Sequence, residues 1–191
     1  MNTLNQIDDN NLDILRIVPL NNLLGHYGAE HITPLQYAIS IGRNEIITLL
    51  YERFRREGGD VNGRDIEGKT PLMYALISNT VGIITTVLGQ YSITDNVNLR
   101  DNNGDTALHH ACAELDQNVP ITHTILGMLI NLFGADITLQ NANGDTPLHS
   151  AIHEVKRESA IYLIHRQIDV PIDMGFEPRI SHLLIRNSTG D

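Results

Sequence analysis

The chain has 191 residues, 41% of them apolar, with 13 basic and 23 acidic side chains and a formal charge of −10. That length and apolar content fit one domain, residues 1–191, with a sizeable aliphatic core, since aromatic residues make up 5% and tryptophan is absent. The negative charge argues against nucleic acid and anionic membranes as partners, because long-range repulsion opposes both, and leaves a basic or neutral protein as the expected partner.

Residues 1–18 carry Asp8, Asp9 and Asp13 and no basic stretch leading into an apolar run, so no secretion signal is expected there. The longest apolar run, residues 125–133, is too short to span a bilayer. The single cysteine, Cys112, forms no intrachain disulfide, which fits a reducing compartment. Without a signal, the acceptor pattern Asn187-Ser188-Thr189 is read as chance. Residues 12–24, aliphatic around Pro19, are expected to cap the first structural unit after them.

Four near-copies of one hexapeptide then recur: Thr33-Pro34-Leu35-Gln36-Tyr37-Ala38, Thr70-Pro71-Leu72-Met73-Tyr74-Ala75, Thr106-Ala107-Leu108-His109-His110-Ala111 and Thr146-Pro147-Leu148-His149-Ser150-Ala151. The steps between threonines are 37, 36 and 40 residues, the period of a stacked solenoid. Each threonine can cap a helix through its hydroxyl, and proline beside it already holds a helical φ, so each motif predicts a helix start. Small residues after the motif suit close stacking of these short inner helices. A second helix is predicted in each unit, with Ile46, Leu49, Leu50 and Phe54 on one face in the first unit and Ile125, Met128, Leu129, Leu132 and Phe133 in the third. Turn-rich stretches close the units, and Gly68, Gly104 and Gly144 stand two residues before a threonine, where a positive φ is expected.

These motifs resemble the ankyrin repeat family across roughly residues 29–173. The resemblance implies an all-α solenoid of helix-turn-helix units joined by hairpin loops. The expected units are 29–66, 67–102, 103–142 and 143–173, with an N-terminal cap at 1–28 and a degenerate capping repeat at 174–191, where Gly175-Phe176-Glu177-Pro178 echoes the motif. The chain departs from the family in its longer steps, in Ala107 in place of proline, and in Gln36 and Met73 where histidine is favoured. The extra residues fall at the 53–57 end of the first outer helix, around 91–94, and at 115–122 between the helices of the third unit, where insertions of this kind are expected to map to loops.

Several constellations imitate chemistry. Residues 63–70 match the nucleotide-binding pattern G-x-x-x-x-G-K-[ST], but the tract before them is polar where a buried strand is needed, and Asp65 and Glu67 would face the phosphates. The same tract recurs in phase with Asp105 and Asp145 in the lysine's place, so the repeat accounts for the match. His149 and His153, four apart with Glu154 beside them, lack the zincin order, and no metal site or cofactor is expected. The resemblance implies instead that His109 and His149 bond the backbone of adjacent hairpins. Cys112 is placed on an inner helix, where burial suppresses the thiolate, and no catalytic residue is assigned.

The resemblance implies a concave recognition surface made of hairpin tips and exposed inner-helix positions. The slot before each motif's alanine holds Tyr37, Tyr74, His110 and Ser150, expected to form a ladder suited to partner contact or, for the tyrosines, to packing. The tips offer Arg64, Glu67, Lys69, Asn102, Asn103, Asp105, Asn141, Asn143 and Asp145. Arg53, Arg55 and Arg56 are read as a solvated basic face at a helix C-terminus. The expected function is non-enzymatic binding of a partner protein by a monomer, as a cytoplasmic effector or adaptor of an intracellular bacterium or virus. The alternatives are an inhibitor that sequesters a transcription factor, similar to the NF-kappa-B inhibitors, and a nucleotide-binding switch built on residues 63–70.

Overall fold

The computed structural model describes residues 31–92, 96–115 and 119–167. The expected caps at 1–28 and 174–191, and part of the tract around 91–94, lie outside the described residues. In chain order the helices are α1 (Pro34–Ser40), α2 (Asn44–Glu57), α3 (Pro71–Ile77), α4 (Val81–Gln90), α5 (Ala107–Glu114), α6 (Val119–Gly127), continued by a π-helical turn (Met128–Leu132), then α7 (Pro147–His153) and α8 (Arg157–Gln167). Strand-like pairing among the described residues includes an antiparallel bridge between Arg100 and Thr106.

The threonines begin helices as the sequence predicts. Thr33 is extended at φ −79°, and its hydroxyl accepts from the Gln36 N–H at 3.2 Å while Gln36 Oε1 accepts from the Thr33 N–H at 2.7 Å. This reciprocal pair satisfies two donors that a helix start otherwise leaves open. Pro34, Pro71 and Pro147 occupy the first helical position, where the missing N–H costs nothing. At the other end of the unit, α2 stops at Gly58, whose φ of +77° turns the chain out of the helix.

Packing gives two rows. The short helices stack α1 on α3, α3 on α5 and α5 on α7, while α2 packs on α4 and α6 on α8 behind them. Ala38, Ala75, Ala111 and Ala151 are fully buried in the inner row, where a larger side chain would hold neighbouring units apart. The core between the rows comes from Leu35, Leu72 and Leu108 on the inner helices and Ile46, Ile47, Leu50, Ile84, Val87, Leu126 and Leu129 on the outer ones. Tyr91 and Phe133 bridge the second and third units edge to face, with centroids 5.2 Å apart.

Three expectations are corrected. Leu132, assigned to the buried face, is 55% exposed, because the chain leaves α-helical phase after Gly127. The Phe133 N–H reaches back five residues to the Met128 carbonyl at 3.1 Å, and the extra residue in that turn rotates Leu132 outward. The tract 115–122, expected as a loop, is partly α6, and Leu115 and Thr122 within it are buried. Arg53, read as solvated, is 4% exposed and donates to Glu57 at 2.8 Å; that bond, with help from Arg56 and against the opposing effect of desolvation, holds Glu57 below the usual carboxylate range. Arg55 bonds the Gln90 carbonyl at 2.8 Å, tying the end of α2 to the end of α4.

Candidate functional site

Stacking of the inner helices sets Tyr37, Tyr74, His110 and Ser150 at equivalent places on α1, α3, α5 and α7, all half-buried. Two of them are anchored to their own hairpins. The Tyr74 hydroxyl donates to Asp65 Oδ2 at 2.8 Å, and His110 Nε2 lies 2.9 Å from Asp101 Oδ2. These aspartates are buried because they also hold the turns. Asp65 accepts from the Lys69 N–H at 2.8 Å, and Asp101 from the N–H groups of Asn103 and Asp105, each at 2.9 Å. Asn141 does the same with its amide oxygen for Asn143 and Asp145, each at 3.0 Å. Burial works against the charge on Asp101, but the bond to His110 and those from Asp105 and Asn103 outweigh it and hold the carboxyl below its ordinary value.

Sequence reasoning identifies the ladder and the tips but misses this link between them. The signal is present, since Asp65, Asp101 and Asn141 each stand five residues before a motif threonine and nine before a ladder residue.

The motif's third helical position joins one unit to the next. His109 is buried, and its Nδ1 accepts from the Thr106 N–H at 3.1 Å, so its proton is on Nε2, which donates to the Asp145 carbonyl at 3.0 Å. Burial depresses its pKa and keeps the ring neutral. Gln36 performs both tasks in the first unit, with Nε2 donating to the Lys69 carbonyl at 2.6 Å. Met73 accepts from the Thr70 N–H through sulfur at 3.4 Å but has no proton to give the next hairpin. His149 accepts from the Thr146 N–H at 3.2 Å and is otherwise exposed.

The hairpins are also bonded tip to tip. The Asn102 N–H donates to the Glu67 carbonyl and the Asn102 side-chain amide to the Ile66 carbonyl, both at 2.8 Å. One unit on, the Ala142 N–H donates to the Asn103 carbonyl and Asn141 Nδ2 to Asp105 Oδ1, again at 2.8 Å. Gly68 and Gly104 have φ of +77° and +80°, and the next hairpin approaches so closely that a Cβ would stand 2.6 Å from Asn102 Oδ1 and 2.8 Å from the Ala142 nitrogen respectively. Arg64 donates to the Gly68 carbonyl at 2.8 Å, while Asn103 and Asn143 are exposed and Asp145 is half-buried.

The phosphate-loop match has a different use in the fold. The Lys69 ammonium is paired with Glu67, which raises its pKa, its backbone N–H is taken by Asp65, and the Thr70 hydroxyl accepts from the Met73 N–H at 3.4 Å. Burial pushes the Cys112 thiol far up, so the thiolate is suppressed. Among the described residues no three histidine, cysteine or acidic side chains converge on a metal-sized site, and no helix is long and apolar enough to cross a membrane.

A sequence profile described as ankyrin repeats (three copies) matches residues 7–101 and 90–174, and the chain belongs to that family. Ankyrin repeat domains are in general non-catalytic modules that bind other proteins. Among solved structures the chain is similar to the ankyrin repeat domain of Bcl-3, described as a unique member of the IkappaB protein family, with 29% identity and a TM-score of 0.53. That match covers 70% of this chain and 51% of the other, so the chain spans about half of the domain it resembles. No curated protein sequence matches it significantly.

Proposed function

We propose that this chain is a monomeric, non-enzymatic module that binds a partner protein through the concave face formed by the ladder and hairpin tips. The observation that carries this reading is the bonding of successive hairpins to one another and of Tyr74 and His110 to the hairpin aspartates. Side chains and turns already fixed before an encounter lose little freedom on binding, so more of the contact energy appears as affinity. The units 29–66, 67–102, 103–142 and 143–173 would supply the face, with 1–28 and 174–191 closing its ends.

The biological role that fits best is an effector or adaptor acting in the cytoplasm of a host cell, which the asparagine- and isoleucine-rich sequence of this short, divergent array favours. The likeness to Bcl-3 supports the second reading, an inhibitor that sequesters a transcription factor. A nucleotide switch is disfavoured, because the Lys69 ammonium is paired with Glu67 and the Thr70 hydroxyl caps its own helix.

Affinity capture from host-cell lysate with quantitative mass spectrometry tests the reading. A partner retained by the natural chain should be lost with Tyr37→Ala/Tyr74→Ala when capture is compared per folded molecule, since Tyr74→Ala also removes the bond to Asp65. Undiminished capture by that variant counts against the ladder.

A further inference from the structure

The junctions between successive units differ in chemistry at the motif's third helical position. Gln36 joins the first unit to the second through an amide that does not titrate, and Met73 has no proton to give across the next junction. His109 joins the third unit to the fourth, with Nδ1 accepting from the Thr106 N–H at 3.1 Å and Nε2 donating to the Asp145 carbonyl at 3.0 Å. Its ring is buried, so this junction closes around the neutral imidazole. A charged ring carries protons on both nitrogens. Thr106 Oγ1, 2.8 Å from Nδ1, can then turn to accept one of them, but the Thr106 N–H is left facing a donor and the charge is held away from water. Burial is the main influence that keeps the ring neutral; the Asp145 carbonyl and the Asp105 carboxylate favour the proton, and His110 and Arg100 oppose it. Of the helices to either side, α3 carries Tyr74, bonded to Asp65, and α7 carries the exposed His149 and His153.

The outer row of the same junction is imperfectly satisfied. Between α6 and α8 the rings of His123 and Tyr162 meet with centroids 5.1 Å apart, and His123 Nε2, Ser159 Oγ and His165 Nδ1 are buried without a hydrogen-bond partner. His123 Nε2 lies 3.8 Å from Glu158 Oε2, beyond hydrogen-bonding distance. Unpaired polar atoms lower the cost of separating two helices, because separation returns them to water. The tip bonds of Asn141 and Ala142 to the third hairpin oppose that separation.

Resting on the concave-face reading above for its consequence, we propose that the junction between the third and fourth units is an acid-sensitive joint that regulates partner binding. Proton uptake by His109 opens the junction, α7 and α8 separate from α5 and α6, and Ser150 and Asp145 leave the row that holds Tyr37, Tyr74 and His110. The two earlier junctions stay closed, because neither Gln36 nor Met73 gains a charge. In the opened junction the ring meets water and titrates near the ordinary value of about 6.5, so opening grows as pH falls below that value and is constant above it.

The test follows amide hydrogen exchange of the full chain, without a partner, with rates corrected for the intrinsic effect of pH. Between about pH 7.5 and about pH 5, protection of the Ala151, Ala160 and Leu163 amides should fall about tenfold or more, toward a limit of about thirtyfold set by the ordinary histidine value. Protection of Ala38, Leu50 and Ala75 in the first two units should stay nearly constant. His109→Gln, which copies Gln36, should remove the acid loss. His109→Met, which copies Met73, should give fourth-unit protection that no longer varies with pH, so the question is decided even if the glutamine variant folds poorly. An equal acid loss in the natural chain and in either variant, no loss in the natural chain, or a loss spread evenly over all units overturns the acid-sensitive joint. None of these results involves a partner, so the concave-face reading stands or falls separately on the capture experiment.

Discussion

Two glycines with the same backbone angle separate local strain from coupling between units. Gly58 and Gly68 both have φ of +77°, but a Cβ on Gly58 meets nothing within 4 Å, whereas one on Gly68 stands 2.6 Å from Asn102 Oδ1 and 3.0 Å from the Asn102 nitrogen. Gly58→Ala therefore incurs only the left-handed backbone penalty, about 1–2 kcal/mol. Gly68→Ala incurs the same penalty and also drives the next hairpin away, breaking the bonds from Asn102 to the Glu67 and Ile66 carbonyls. At about 1 kcal/mol for each bond, its total cost is about 3–4 kcal/mol. Urea denaturation followed by circular dichroism gives both values. Equal losses in the two variants would refute the claim that tip-to-tip bonds hold the hairpins in one row.

Further tests come from the motif's third helical position and from the core. His109 is neutral and its pKa depressed in the fold, while the unfolded chain takes up a proton near the ordinary value of about 6.5. Stability should thus be complete above that pH and fall as acid is added below it, and His109→Gln, which copies Gln36, should keep neutral-pH stability and lose its share of the acid sensitivity in a melting series. Replacing Met73 by histidine should add a bond to the Asp105 carbonyl, by analogy with Gln36 and His109, and raise stability by about 1 kcal/mol in denaturant titration; a loss would mean the slot is too narrow. Leu108 is 1% exposed, so Leu108→Ala should cost about 2–5 kcal/mol in the same titration.

The repeat is legible in the sequence because the same local physics recurs in phase. Capping threonines, prolines at the first turn and glycines of positive φ act within a few residues of themselves, and Gly68, Gly104 and Gly144 have the positive φ their spacing predicts. Features that depend on contacts between elements are harder to read. Arg53 has the look of a surface residue, yet helix α2 turns it inward and Glu57, one turn on, neutralises it. Leu132 fits an ideal helical face, but the π-helical turn shifts the phase just before it. The ladder emerges from alignment of the motifs, whereas its anchoring depends on side chains nine residues away crossing from helix to hairpin.

Binding through the concave face is open to a direct measurement, hydrogen exchange on a purified complex between this chain and its captured partner. Exchange should slow in α1, α3 and α5 and at the hairpin amides of Asn103, Asp105 and Asn143, with α4, α6 and α8 unchanged. Protection confined to the outer helices, with the inner row and tips exchanging as in the free chain, would mean that the partner binds elsewhere.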